Sequence, residues 1–213
     1  MQDISVHKLG QAVGLYVSKK ASNIEQAEYI AYGAEILIGS VVKLSILFFI
    51  AGILNTLLEV SILLIVTGAI RTLSGGAHCS AYYRCMITSV VMLNAIGYIT
   101  KSIYPYMKQL PIFILLVILV LPIYLYWRHA PQAPDNKPFD CRKKEESFRR
   151  CTLIAVVLLS VTTISIGTDS MIGWTIMLAL LWQAFTLTTA GHKFIGAWDA
   201  LLTIKRKGGE AEC

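Results

Sequence analysis

The stretch LPIFILLVILVLPIYLYW, Leu110 to Trp127, contains no charged residue. At about 1.5 Å of rise per residue, a helix of this length covers most of the ~30 Å hydrocarbon layer of a bilayer. Pro111 marks its start and Pro122 is placed to kink it. Two further uncharged runs of similar reach follow, Cys151–Thr168 and Ser170–Gly191. Tyr32–Asn55 is a fourth run, interrupted by Glu35 and Lys43. Leu57–Leu73 and Tyr83–Thr100 are shorter candidates broken by Glu59, Arg71 and Arg84. With 55% hydrophobic content over 213 residues and a mean hydropathy of +0.62, the chain is too apolar for a water-soluble domain of its size. The expected fold class is therefore all-α: a single integral membrane domain, 1–213, with about six transmembrane helices across 30–127 and 151–191.

Residues 1–29 contain no continuous apolar core of the kind a cleavable signal peptide needs. Instead Val6, Leu9, Val13, Tyr16 and Val17 recur at helical spacing opposite Lys8 and Lys19, which predicts an amphipathic helix at the cytoplasmic membrane surface. Ser22-Asn23-Ile24-Glu25 has the pattern of a capping box leading into the first span. With the N-terminus inside, segments 1–31, 71–85, 128–150 and 191–213 face the cytoplasm and hold 16 of the 19 Lys and Arg residues. That asymmetry follows the positive-inside rule and places both termini in the cytoplasm of a multi-pass plasma-membrane protein. The net charge of +6 is thus placed to meet anionic membrane lipids, and it calls for no nucleic-acid partner. The segment 128–150 reads as a basic cytoplasmic loop whose second half, from Asp140, is a charged helix.

At the junction of Leu57–Leu73 and Tyr83–Thr100 lies IRTLSGGAHCSAYYRC, Ile70 to Cys85, with one His, two Cys, two Arg and a Gly pair. A cysteine nucleophile needs a base to take its proton, because the thiolate is the attacking species. His78 is the base this stretch offers. On a regular helix Cys85, seven residues on, would stand about 10.5 Å away along the axis, so contact requires a bend. Ser74-Gly75-Gly76 supplies one, since glycine adopts backbone angles closed to other residues. Adjacent helical residues point about 100° apart, which makes Cys79 the poorer partner for His78 and Cys85 the better one. Gly75 and Gly76 are also placed to offer N–H groups to an oxyanion, and Arg71 or Arg84 to favour a thiolate or hold a carboxylate. Asn94, Gln183 and Ser74 are alternatives for a group that orients the base. No Cys-x-x-Cys or His-Glu-x-x-His motif points to a metal, and no cofactor is implied.

The string Arg71-x-x-x-Gly75-Gly76-x-His78-x6-Cys85, on a polytopic chain with a basic central loop, resembles AgrB, the accessory gene regulator protein B family of Gram-positive quorum sensing. The resemblance implies a membrane-embedded cysteine endopeptidase that removes the C-terminal tail of a small propeptide, AgrD. It further implies closure of a thiolactone through an acyl-enzyme thioester, with Cys85 as nucleophile and His78 as base. Arg71, Ser74, Gly75 and Gly76 would support the site, and a homodimer is compatible with the resemblance. Beyond the motif, Lys43 is an intramembrane charge and so a candidate substrate contact. Arg142, Lys143, Lys144, Arg149 and Arg150 form a basic cluster suited to lipid headgroups or to an acidic propeptide tail. The competing readings are a peptide exporter and a non-catalytic adaptor that presents the propeptide.

Overall fold

A computed structural model describes residues 27–133 and 141–203, and the chain divides into two compact units, Met1–Ile50 and Ala51–Cys213. Among the described residues there are seven helices and no strand. They are α1 (Ala27–Ile53), α2 (Leu57–Ser74), α3 (Tyr82–Met107), α4 (Ile112–His129), α5 (Arg142–Ile166), α6 (Met171–Thr186) and α7 (Thr189–Leu201). Five of them are long and apolar enough to cross a membrane, and a sixth span results if α6 and α7 are counted together. The expected surface helix over 1–29 and the capping box at Ser22–Glu25 lie outside the described residues, apart from the first turn of α1.

On α5 the burial pattern is inverted relative to a helix of a water-soluble protein. The buried face is Thr152, Val156, Ser160 and Thr163, whereas Ile154, Val157, Leu158 and Val161 are exposed. The buried hydroxyls donate to carbonyls one turn back, Thr152 to Phe148, Ser160 to Val156 and Thr163 to Leu159, so none is left unsatisfied in the interior. Small and hydroxylated residues let neighbouring helices approach closely, while the large aliphatic side chains on the outer face suit lipid. On α4 large side chains occupy both faces: Leu115, Leu119 and Tyr126 are buried, and Phe113, Val117, Val120 and Leu121 face outward.

Within the second unit α6 is the central helix, packed against α2, α3, α4 and α5. Trp174, Ala179, Leu180 and Ala184 along it have no exposed surface. Ser170 starts it by accepting a hydrogen bond from the Ile172 N–H at 3.2 Å.

Two expectations need correction. The uncharged run Ser170–Gly191 is not one straight span: α6 stops after 16 residues and α7 leaves it at 84°. The break has a local cause. Thr188 caps α7 by accepting from the Gly191 N–H at 3.0 Å, and a Cβ at Gly191 would stand 2.0 Å from the Phe185 carbonyl oxygen, so only glycine fits the corner. Hydropathy does not register such a corner, because Thr and Gly interrupt no apolar run. The second correction concerns the basic segment. Its charged half is helical, as expected, and it is continuous with the following span as the first turns of α5, with Arg142–Glu146 and Glu146–Arg150 pairs at i,i+4 spacing along its exposed surface.

Candidate active site

Helix α2 ends in a sharp reversal at Ser74-Gly75-Gly76. The Gly75 N–H closes the helix on the Arg71 carbonyl at 2.9 Å, and the chain then turns with φ +72° at Gly75 and +131° at Gly76. Both are left-handed values that favour glycine. Space imposes the same choice, since a Cβ at Gly75 would lie 2.0 Å from the Gln132 carbonyl oxygen and one at Gly76 would lie 2.8 Å from Thr186 Oγ1.

The loop 75–81 that follows is tied down on three sides. From α6, the buried Gln183 amide donates to the Gly75 carbonyl at 2.8 Å, and the Thr186 carbonyl accepts from the Ala77 N–H at 3.1 Å. From the segment after α4, the Gln132 N–H donates to the Ser74 carbonyl at 2.8 Å, while its side-chain amide donates to the Leu187 carbonyl and its Oε1 lies 3.0 Å from His192 Nε2. From α7, Asp199 accepts from the Ser80 N–H at 3.2 Å and the Ser80 hydroxyl at 2.7 Å, and pairs with Arg84 at 3.1 Å. Helix α3 begins directly beyond, with Cys85 in its first turn bonded through its N–H to the Ala81 carbonyl.

These restraints bring Arg71, His78, Cys79 and Cys85 to one end of the unit. Arg71 reaches across the loop and donates to the Ala77 carbonyl. Held there, its guanidinium is the charged neighbour of both the Cys85 and Cys79 sulfurs. His78 stands at the rim, exposed on one side. Burial of its other side, followed by the nearby charges of Arg71 and His192, holds its pKa below the ordinary imidazole value. Burial, above the other influences on it, raises the Cys79 thiol, which sits 3.7 Å from Thr88 Oγ1.

Among the described residues the His78 ring makes no hydrogen bond to the Cys85 sulfur, and neither Asn94, Gln183 nor Ser74 bonds to the ring. Ser74 and Gln183 act on the loop instead, and the Asn94 amide donates to the Val90 carbonyl. The Gly75 N–H is engaged by the helix cap, so of the glycine pair Gly76 alone retains an N–H without a hydrogen bond among the described residues. Lys43 is half-buried on α1, in the first unit. The basic cluster lines the exposed start of α5, where Arg142 and Arg150 flank Glu146 and Arg149 donates to the Trp127 carbonyl at 3.0 Å. No three His, Cys, Asp or Glu side chains among the described residues gather as a metal site would require.

With this geometry in hand, comparison with known proteins is decisive. Residues 11–187 match the family described as Accessory gene regulator B. The chain belongs to that family. A protein of Clostridium perfringens named AgrB-like is 29% identical over 188 residues, covering 83% of this chain and 87% of its own length. One of Clostridium acetobutylicum with the same description is 23% identical, over 90% and 89% of the two chains. Accessory gene regulator protein B of Staphylococcus aureus is 21% identical over 68% of this chain and 76% of its own. No solved structure matches.

The loop's partners Gln132, Asp199 and His192 escaped the sequence reading even though the family resemblance was visible in residues 71–85. Asp199 alone left a trace, as an isolated acid in the apolar segment that follows α6.

Proposed function

We propose that this member of the accessory gene regulator B family is a membrane-embedded cysteine endopeptidase that cleaves an AgrD-like propeptide and closes the released fragment into a thiolactone. Cys85 is the nucleophile and His78 the base. The observation that carries this reading is the position of Arg71: pinned by the Ala77 carbonyl, its guanidinium is the electrostatic neighbour of the Cys85 sulfur.

In the first step Cys85 Sγ attacks the carbonyl carbon of the scissile amide while His78 accepts the thiol proton. The depressed pKa of His78 keeps the imidazole neutral, and so able to accept, at neutral pH. Negative charge develops on the carbonyl oxygen, which the Gly76 N–H is free to meet. The C–N bond then breaks, His78 returns the proton to the leaving amine, and an acyl-enzyme thioester remains. In the second step the thiol of a propeptide cysteine attacks that thioester, its proton passes through His78 to Cys85, and the ring closes. Exchange of one thioester for another is nearly balanced, whereas making the first from an amide is uphill, so removal of product must draw the sequence forward. Water must be excluded, because hydrolysis would yield a linear peptide.

Both termini and the loop face the cytoplasm in this reading, supported by the distribution of Lys and Arg. The basic start of α5 recruits an acidic propeptide tail. Charge reversal at Arg142, Lys143, Lys144, Arg149 and Arg150 then weakens processing most at low salt, where screening is least.

The deciding experiment incubates purified protein in detergent micelles with synthetic propeptide and follows the products by mass spectrometry. Cleavage that persists without Cys85 (Cys85→Ala) overturns the assignment, and loss on Cys79→Ala alone transfers it to that residue. Micelles have no compartments, so an exporter or a presenting adaptor yields no cleaved peptide at all.

A further inference from the structure

Cys79 has no part in the chemistry proposed above, yet its sulfur lies against the working face of α3. Its Sγ is 3.7 Å from Thr88 Oγ1, and Thr88 is one turn beyond Cys85. Residues three apart on a helix share a face, with Cβ atoms about 5–6 Å apart. The Cys79 side chain therefore leans over the strip of α3 that presents Cys85, where the two sulfurs are electrostatic neighbours of each other and of the Arg71 guanidinium. Both thiols are free and half-buried, open to a small oxidant. Cys79 is carried on the loop rather than on a helix, between the anchors at Ala77 and Ser80, and a disulfide requires its Cα within roughly 4.4–6.8 Å of that of Cys85.

We propose that Cys79 and Cys85 form a reversible redox pair, in which a two-electron oxidant of the peroxide class joins them in a disulfide and switches the site off. The Cys85 thiolate attacks one peroxide oxygen, the O–O bond breaks, and protonation of the leaving oxygen releases water and leaves a sulfenic acid. The Cys79 sulfur then attacks the oxidised Cys85 sulfur. The S–O bond breaks, and the thiol proton leaves with the hydroxide as a second water. In total two thiols and one peroxide give one disulfide and two waters. A cellular dithiol reverses the reaction by exchange. The order of events follows from the surroundings: burial raises the Cys79 thiol, which makes it a poor first attacker of peroxide. Bond formation depends only on proximity. Loss of activity rests, in addition, on Cys85 being the nucleophile.

The test treats the full-length protein in micelles with hydrogen peroxide, caps the remaining thiols with N-ethylmaleimide and maps the cysteines by mass spectrometry. The expected result is one intramolecular Cys79–Cys85 linkage, two hydrogens lighter than the dithiol, with Cys141 and Cys151 still capped. Propeptide cleavage falls at least tenfold in step with the linkage and returns with dithiothreitol. The Cys79→Ala and Cys79→Ser variants keep basal cleavage, form no linkage, and lose activity to peroxide in a manner dithiothreitol does not restore, because an unpaired sulfenic acid oxidises further. Capping of both Cys79 and Cys85 after peroxide treatment, or linkage of either to another cysteine, overturns the pair. A linkage that forms without changing cleavage upholds the pair and overturns Cys85 as nucleophile.

Discussion

Replacing Gly75 by alanine tests whether the reversal after α2 builds the site. At φ +72° and ψ −146° the backbone occupies a region essentially reserved for glycine, and a non-glycine residue there costs about 1–3 kcal/mol. The added Cβ would also stand 2.0 Å from the Gln132 carbonyl oxygen, which is backbone and has no rotamer to move to. Relief requires the 132 segment to withdraw, breaking the 2.8 Å bond between the Gln132 N–H and the Ser74 carbonyl, a further ~1 kcal/mol. The sum is about 2–4 kcal/mol. If it falls on the loop alone, it lowers the competent population on the order of a hundredfold, at a factor of ten per ~1.4 kcal/mol. The matched control is Gly68→Ala on the exposed face of α2, where a Cβ meets nothing within 4 Å. There alanine stabilises the helix by about 0.5–1 kcal/mol. Cleavage rate, thermal midpoint and far-ultraviolet circular dichroism are measured for both variants in micelles. The expected outcome is unchanged helix content in both, with cleavage lost only at position 75. A Gly75→Ala protein as active and as stable as Gly68→Ala refutes the reasoning.

Other tests address the loop's restraints and its protons. Gln183→Leu removes the buried donor to the Gly75 carbonyl, and leaving that acceptor unsatisfied costs about 1–3 kcal/mol, read as a lower thermal midpoint and slower cleavage. Arg84→Asp and Asp199→Arg each loosen the strap between α7 and the start of α3, which follows the loop, and the double exchange recovers part of the lost rate. Equal defects in all three variants would show that the pair does not hold the loop. Because His78 titrates below the ordinary imidazole value of about 6.5, the acid limb of the kcat/KM profile has its midpoint under that pH. The sign for stability agrees: the unfolded chain binds the proton first, so the folded state loses stability as pH falls through the ordinary value. An acid limb centred above it counts against His78 as the base. Cys79, with its pKa raised by burial, reacts with iodoacetamide more slowly at neutral pH than an exposed thiol such as Cys141, and the gap narrows as pH rises.

The helices were legible because a bilayer demands length and apolarity, and both are properties of local sequence. The run Leu110–Trp127 announces α4 to within two residues at each end. The corner at Thr188–Gly191 was not legible, since it depends on a threonine cap and on the close approach of a glycine to a carbonyl, neither of which alters hydropathy. At the site the glycine turn and its neighbours were readable within residues 71–85, because a reversal needs glycine and a thiol needs a base. Gln132 reaches the loop from the segment after α4, and Gln183 and Asp199 from other helices; tertiary contacts of that kind leave no periodic signature. From its sequence Gln183 is an alternative for the group that orients the base, whereas in the structure its amide holds the Gly75 carbonyl.

The bonds from Gln183 and Asp199 to the loop join residues separated by 108 and 119 positions in the chain. During synthesis the ribosome therefore delivers the His and both cysteines long before it delivers the groups that clamp them. Until α6 enters the bilayer, the Gly75 carbonyl and the Ala77 N–H lack their partners, and the loop has no fixed shape in which to act. On the proposed reading the nascent chain is inert toward peptides, and a frameshift between residues 86 and 183 abolishes cleavage while leaving residues 71–85 intact.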